Sequence, residues 1–100
     1  SETGSAVNEF TITNAATGNP PQLSSTGDDT NIGLKLAGKG TGKVEFASNL
    51  QINGTSSNWT IEVDGDDHLI FSYAGTAVFA LQDTGKVIAK DDITAFGTPT

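Results

Sequence analysis

The residues best suited to chemistry lie together in one acidic segment, Asp64–Gly65–Asp66–Asp67–His68. Carboxylate oxygens are ligands that Ca²⁺ prefers, and a second acidic pair, Asp28–Asp29, also follows a glycine. The segment lacks the spacing of an EF-hand loop, which needs a glycine at its sixth position and a distal glutamate. The alternative is that these carboxylates are solvated side chains of turns.

His68 is the only histidine of the chain. A metal site rich in histidine would therefore need ligands from other chains. Three copies of His68 around a three-fold axis could bind a metal or respond to pH. Asp66, in the acidic segment, is the other candidate metal ligand. The ordinary alternative is a histidine on the face of a sheet, and we predict neither a resident metal nor a cofactor.

Catalytic motifs are missing from the sequence. The segment GKGTGK at residues 38–43 is only partly like a phosphate-binding loop, which needs GxxxxGK, then Ser or Thr, then a helix. Here Val44 follows the lysine, and the glycines favour a tight corner. No serine, histidine and aspartate have the elbow motif of a hydrolase, and no spacing marks a catalytic carboxylate pair. The sequence predicts no catalytic residues and no enzyme.

Trp59 and Tyr73 are the candidate ligand-binding residues. Aromatic rings in a polar surround commonly hold sugars by stacking, together with neighbouring polar groups. However, Trp59 alternates with Ile61 and Val63, and this pattern favours a ring that faces the core.

Composition excludes several classes of partner. The 100 residues carry a formal net charge of −7 with only 5 basic residues, all lysine. Binding to nucleic acid or to an anionic membrane surface needs clustered Lys and Arg. No apolar run is long enough for a membrane span, and there is no cysteine to form disulfides. We therefore expect no nucleic-acid partner and no membrane insertion.

Short runs of alternating apolar residues predict an all-β chain, because no window shows an apolar period of 3.6. Predicted strands cover residues 8–13, 32–37, 44–52, 59–63, 69–73, 79–81 and 87–89, and we expect a bulge at Ser48–Asn49. Residues 14–26 are rich in breakers and predict a connection. Turns are predicted at Asn53–Gly54, which is a strong signal for a two-residue hairpin, at Ala74–Gly75–Thr76 and at Asp83–Thr84–Gly85.

The chain contains an internal repeat. Thr41–Gly42–Lys43–Val44 returns as Thr84–Gly85–Lys86–Val87, and Gly27–Asp28–Asp29 returns as Gly65–Asp66–Asp67. Such self-similarity usually marks stacked units that cannot bury their apolar faces alone. The repeat predicts a first β unit over residues 7–55 and a second, with an extra hairpin, over residues 56–100. Residues 1–6 are small, polar and patternless, which is typical of a cloning remnant.

The apolar content is too low for a self-sufficient core. Ordering 100 residues costs on the order of 150 kcal/mol, and the large apolar side chains offset only about half to two-thirds of that. Since no disulfide compensates, we expect assembly. The predicted shared core of a homotrimer consists of Ile32, Leu34, Leu36, Phe71, Phe79 and Leu81. The rival interpretation is a monomeric carbohydrate-binding β-sandwich.

Residues 23–44, LSSTGDDTNIGLKLAGKGTGKV, resemble a repeat of phage tail fibres and related trimeric appendages, LSxxGxDTNIxLxLxxKGTGxV. The second half is similar to the segment that often precedes an endosialidase-type intramolecular chaperone. Its marks are Leu69-x-Phe71, Phe79-x-Leu81, Thr84–Val87 and Asp92–Thr98. The resemblance covers residues 20–98.

This resemblance implies an intertwined β homotrimer at or near a fibre tip, which attaches to the surface of a host or prey cell. The implied partners are two further copies of the chain, a cell-surface receptor of glycan type and, in the precursor, the chaperone domain. The implied location is a virion tail fibre or an extracellular appendage. An end at Thr100, just after Ala95–Phe96–Gly97–Thr98, fits chaperone cleavage or a truncation.

Overall fold

In the computed structural model, which describes residues 4–100, the described residues form β-strands and no helix. The all-β prediction is therefore confirmed. No helix long and apolar enough to cross a membrane occurs among these residues. The strands are β1 (Asn8–Thr13), β2 (Gln22–Gly27), β3 (Leu50–Ile52), β4 (Trp59–Val63), β5 (Leu69–Tyr73), β6 (Thr76–Leu81) and β7 (Val87–Ala89).

The chain forms two compact units, Ser1–Val44 and Glu45–Thr100. The first contains a two-stranded antiparallel sheet, β1–β2. The second contains a five-stranded antiparallel meander in the order β3-β4-β5-β6-β7. Each strand of the meander pairs with the next one along the chain, so all of its connections are local.

The first unit corrects one prediction. Residues 14–26 were expected to form a breaker-rich connection, but residues 22–27 form β2 and pair with β1 from Asn8↔Gly27 to Thr13↔Gln22. The serines and threonines of β2 stabilise the pairing through side chains, and the Thr11 and Thr26 hydroxyls lie 2.7 Å apart. The breakers are confined to residues 14–21, where Gly18 has a φ of 89°.

The strand predicted at residues 32–37 does not form within the single chain. Ile32, Leu34 and Leu36 alternate as expected, yet no described segment pairs with them. The prediction was wrong for the isolated chain because a strand needs a neighbouring ladder of hydrogen bonds. One side-chain bond ties the segment to β2, since the Ser25 hydroxyl donates to the Gly33 carbonyl at 3.0 Å.

The strand predicted at residues 44–52 is shortened to β3, Leu50–Ile52, and the bulge predicted at Ser48–Asn49 is not there. The irregularity of the meander lies instead between β5 and β6, where Phe71 pairs with Phe79 but Ser72 pairs with Ala77. Val78 is therefore the extra residue of a bulge. Alternation at residues 44–49 was misleading because the pairing with β4 covers only Leu50–Ile52, and no described strand pairs with residues 44–49.

The two-residue turn predicted at Asn53–Gly54 was also wrong. Residues 53–58 form a longer connection between β3 and β4, in which the Gly54 amide donates to the Asn58 Oδ1 at 3.2 Å. The tight two-residue hairpin is instead at Ala74–Gly75, between β5 and β6. Both residues have positive φ, 51° and 82°. That is the signature of a type I′ turn, whose twist matches that of the flanking strands.

The β4–β5 and β6–β7 connections share one hydrogen-bond frame. In the first, the Asp64 amide donates to the His68 carbonyl and the Asp67 amide donates to the Asp64 carbonyl. In the second, the Gln82 amide donates to the Lys86 carbonyl and the Gly85 amide donates to the Gln82 carbonyl. The fourth position is left-handed in both, with φ of 61° at Asp67 and 92° at Gly85. The turn predicted at Asp83–Gly85 is confirmed.

The difference at this fourth position predicts a stabilising substitution. An aspartate in the left-handed region carries a steric cost that glycine avoids. We expect Asp67→Gly to raise the free energy of unfolding by about 0.5 kcal/mol and Gly85→Asp to lower it by about 1 kcal/mol. Thermal melting of the two variants, compared at one concentration, measures both effects. A loss of stability in Asp67→Gly would show that the Asp67 side chain holds the turn.

No apolar side chain is buried among the described residues, and the one buried residue is Ser72, with 4% exposure. The accessible surface of the chain is 8856 Å². A globular monomer with the same mass of 10.3 kDa exposes about 5,400 Å². Residues 4–100 of the single chain thus form strands and hairpins without a hydrophobic core.

Candidate functional site

The acidic segment forms the turn that joins β4 to β5. One oxygen of Asp64, Oδ1, accepts hydrogen bonds from the backbone amides of Asp66 at 2.9 Å and His68 at 3.0 Å. The other oxygen, Oδ2, lies 3.2 Å from Nδ1 of His68. Both oxygens of Asp64 are therefore occupied by contacts that close the turn.

These contacts perturb the acidity of Asp64. The hydrogen bond from the His68 amide, assisted by the one from the Asp66 amide and by the nearby imidazole, lowers the pKa of this carboxyl below its ordinary value of 3.8. A carboxylate that accepts backbone hydrogen bonds is stabilised in its charged form. The contribution of Asp64 to stability is therefore present above pH 3.8 and is lost as the pH falls through the lowered pKa.

We therefore expect Asp64→Asn to reduce the acid sensitivity of the fold. The amide oxygen can still accept the two backbone hydrogen bonds, but it does not titrate. Melting temperatures at about pH 5 and about pH 3 should differ less in this variant than in the parent chain. Asp66→Asn is the matched control and should leave the difference as it is. Equal acid sensitivity in Asp64→Asn and the parent would contradict this role.

The same turn brings together the metal candidates His68 and Asp66. One donor atom each from Asp64, Asp66 and His68 lies within 4.8 Å of the others. Asp67 is not part of this group, and Asp28 and Asp29 belong to the other compact unit. Because the hydrogen bonds of Asp64 already account for its position, the cluster is explained as a closed turn.

The glycine-rich segment at residues 38–43 forms a corner, as the sequence predicted. The Gly42 amide donates to the Lys39 carbonyl at 2.9 Å, and Gly40 has a φ of 59°. Since no helix follows in the described chain, no helix N-terminus is available to meet a phosphate there. The geometry of this segment is that of a backbone corner.

Trp59 and Tyr73 lie side by side as a cross-strand pair of β4 and β5. Their ring centroids are 5.2 Å apart at an interplanar angle of 54°. Trp59 is 41% exposed and Tyr73 36% exposed. The alternation of Trp59 with Ile61 and Val63 favoured a ring that faces the core. Within the single chain, both rings are instead partly exposed.

The pair belongs to a much larger feature, an apolar face that covers one side of the meander. Antiparallel register places cross-strand partners on the same side of a sheet. Three rows of partners define the face, and only apolar and aromatic residues occupy them apart from Thr76: Ile52, Trp59, Tyr73 and Thr76; Leu50, Ile61, Phe71, Phe79 and Ala89; Val63, Leu69, Leu81 and Val87.

The trimer-core candidates of the second unit lie on this apolar face. Phe71 and Phe79 form an edge-to-face pair with centroids 5.6 Å apart, and Leu81 lies in the adjacent row. Phe79 is 37% exposed and Leu81 38% exposed. Sequence reasoning singled out these residues but missed that Leu50, Ile52 and Val87 continue the same face. The period-two alternation of each strand indicated which residues share a side of that strand. It could not predict the cross-strand register that joins them into one face.

The opposite face is polar around β4. Glu62 accepts hydrogen bonds from the Asn49 amide at 3.2 Å and from the Ser72 hydroxyl at 3.4 Å. Thr60 and Ser72 are cross-strand partners beside it. Beyond β4 the row of Glu62 continues with Ile70, Ala80 and Ile88, so this face is mixed. The apolar face has no covering layer within its unit.

The first unit carries a smaller apolar stripe, formed by Phe10, Ile12 and Leu23. Ile12 and Leu23 are direct partners across the β1–β2 hairpin, and the exposed fractions of the three are 58%, 77% and 46%. The remaining core candidates, Leu34 and Leu36, are 49% and 53% exposed, and Ile32 is partly buried. Apart from Ile32, these residues are exposed in the single chain.

Comparison with known proteins adds no relative. No protein-family model matches the chain, and neither a curated protein nor a solved structure matches it at a significant level. The functional interpretation therefore depends on the geometry of the two units and on the resemblance of residues 23–44.

Proposed function

We propose that this chain is a non-enzymatic structural and adhesive domain of a homotrimeric fibre, which mediates attachment of a phage tail fibre or a similar appendage to a cell surface. The observation that carries the proposal is that no apolar side chain is buried among the described residues, and most of the large ones are exposed. Monomeric proteins rarely leave contiguous apolar faces of this size in water. A chain without its own core is stabilised by sharing one with other copies.

The excess surface has the size of an obligate interface. The chain exposes 8856 Å², which is about 3,500 Å² more than a globular monomer of its mass. Obligate interfaces bury roughly 2,000–5,000 Å², counted over both partners, and resemble a divided domain core, so the excess on one chain is sufficient for such an interface. Three copies follow from the resemblance of residues 23–44 to the repeat of trimeric tail fibres, and a glycan receptor follows from the same resemblance.

The proposal is tested by the resistance of the assembly to detergent. We expect the purified chain to migrate as a trimer on a denaturing gel when it is not heated, and as a single chain after boiling. A shared apolar core that dissociates slowly gives this behaviour. Migration as a single chain in both samples, together with a single-chain mass in detergent-free buffer, would overturn the proposal.

A carbohydrate-binding module is the second candidate, favoured by the half-open Trp59–Tyr73 pair. A pyranose ring could stack on these aromatic faces in a single chain. The candidate predicts a saturable change of Trp59 fluorescence on addition of a sugar from a glycan panel, with loss of the change in Tyr73→Ala. Timed release of reducing sugar from the same panel would instead indicate a glycan-cleaving enzyme.

A further inference from the structure

We propose that the apolar face of the meander is the surface on which copies of this chain assemble, and that its occupant is the same face of neighbouring copies around a three-fold axis. This inference rests on the proposed homotrimer and names the surface that forms it. Three kinds of observation carry it: the composition of the two faces, the area available and the distribution of charge.

The two faces differ sharply along a single strand. On β4, Trp59, Ile61 and Val63 point to the apolar face, while Thr60 and Glu62 point to the opposite one. Alternation of this kind is expected where one side of a sheet is covered and the other is solvated. Because no covering element exists within the unit, the covering layer comes from outside it.

The area of the apolar face suits an interface. Leu50, Ile52, Trp59, Val63, Tyr73, Phe79, Leu81 and Val87 are each between 36% and 61% exposed. With about 150–250 Å² for a large aromatic side chain and somewhat less for an aliphatic one, these residues expose roughly 700 Å² of mainly apolar surface per chain. A stable interface buries about 800 Å² on each partner. The face is therefore large enough to hold copies together.

The distribution of charge permits identical copies to meet there. The chain has a net charge of −7, so most contacts between copies would bring like charges together. The apolar face carries no charged side chain on any of its three rows. Glu62 lies on the opposite face, and Asp64, Asp66 and Asp67 lie in a turn at the end of the strands, where they remain in solvent at the rim.

The stripe Phe10, Ile12 and Leu23 is the competing surface in the first unit. It spans only two strands, and Asn8 and Ser25 on the same side of the hairpin flank it. Asn8 also binds Asp29, with its Nδ2 2.8 Å from Oδ2. This stripe therefore offers less apolar area than the meander face. It also lies close to a negative charge, which would repel a second copy.

One consequence is that Trp59 and Tyr73 are covered in the assembly. They form the outer row of the apolar face, beside Ile52. The pair then acts as an aromatic anchor of the interface, which is a common role for Trp and Tyr. Since Trp59 is the only tryptophan, its accessibility reports directly on the face.

The test combines a matched pair of charge substitutions with quenching of Trp59. Ile61→Lys places a charge on the apolar face, and Thr60→Lys places the same charge on its neighbour on the opposite face. We expect the first variant to have the mass of a single chain and the second to remain trimeric. In the parent chain, acrylamide should quench Trp59 severalfold less than in the urea-unfolded protein.

The outcomes separate this inference from the proposed function. A trimeric parent with Ile61→Lys still trimeric and Trp59 freely quenched would overturn the choice of face and leave the trimer intact. Dissociation of Ile12→Lys in that case would identify the hairpin stripe as the interface. A single-chain mass for the parent protein would overturn both. If Ile61→Lys folds poorly, quenching of Trp59 in the parent decides: protection supports the choice of face, and free quenching overturns it.

Discussion

Phe79→Asp should convert the assembled protein to single chains. The carboxylate would stand in the central row of the apolar face, in place of a ring that packs edge-to-face on Phe71 at 5.6 Å. Burying an unpaired charge between copies costs several kcal/mol, which exceeds what one lost aromatic contact costs. Light scattering after size exclusion measures the loss of mass directly.

Ala77→Asp is the matched control for this substitution. Ala77 lies two positions away on the same strand, is exposed, and pairs with Ser72 of the opposite face. The control adds the same charge to the same strand and should remain trimeric. A Phe79→Asp protein that stays trimeric with an unchanged melting temperature would mean that this row does not face another copy.

Gly27→Ala is expected to disrupt the β1–β2 hairpin. A Cβ atom at this position would meet the Val7 carbonyl oxygen and the Asn8 side chain, and would lie 2.7 Å from the Asn8 Cα. Gly27 also has a φ of 155°, which side-chain-bearing residues rarely adopt. Because the closest atoms include backbone, relief needs movement of β1, and we expect a loss of about 1–3 kcal/mol. Amide exchange of β1 and thermal melting measure it.

Gly33→Ala controls for the change of residue type. No atom lies within 4 Å of a Cβ built on Gly33, and its φ is not in the left-handed range. We expect melting and amide exchange in this variant to match those of the parent chain within error. Equal losses in both variants would show that the close approach at Gly27 relaxes without cost.

The parts of the fold that the sequence predicted are those decided by local patterns. Trp59 to Val63 and Leu69 to Tyr73 alternate strictly, and each forms the strand expected of it. Ala74–Gly75 forms a turn in which both residues have positive φ, a conformation that Gly75 adopts without steric cost. In these segments the residue pattern and the nearest neighbour in the chain agree, so local sequence was sufficient.

The failures have a different cause, which is the need for a partner. Residues 32–37 alternate as well as β4 does, but no strand in the described part of the chain pairs with them. Conversely, β2 has few apolar residues, yet it forms because β1 offers a complete ladder. Asn53–Gly54 does not form a tight turn because the pair nearest to it is Ile52↔Trp59. That pair leaves a connection of six residues, 53–58. Pairing partners outweigh propensity in sheets.

The candidate site was predictable only as a list of residues. The alternation identified Phe71, Phe79 and Leu81 as one set, but its union with Trp59 and Tyr73 into one continuous face depends on register across five strands. The acidic segment was correctly identified as a turn, whereas the two backbone bonds to Asp64 required the geometry. Assembly itself remains a prediction that solution mass decides.

Light scattering after size exclusion is the most direct test of the claim that this chain shares its core between copies. We predict a mass of three times 10.3 kDa at micromolar concentration. Such a mass would agree with the absence of any buried apolar side chain among residues 4–100. A mass of 10.3 kDa together with a cooperative thermal transition would contradict the account, because the single chain would then be stable without the core that it lacks here.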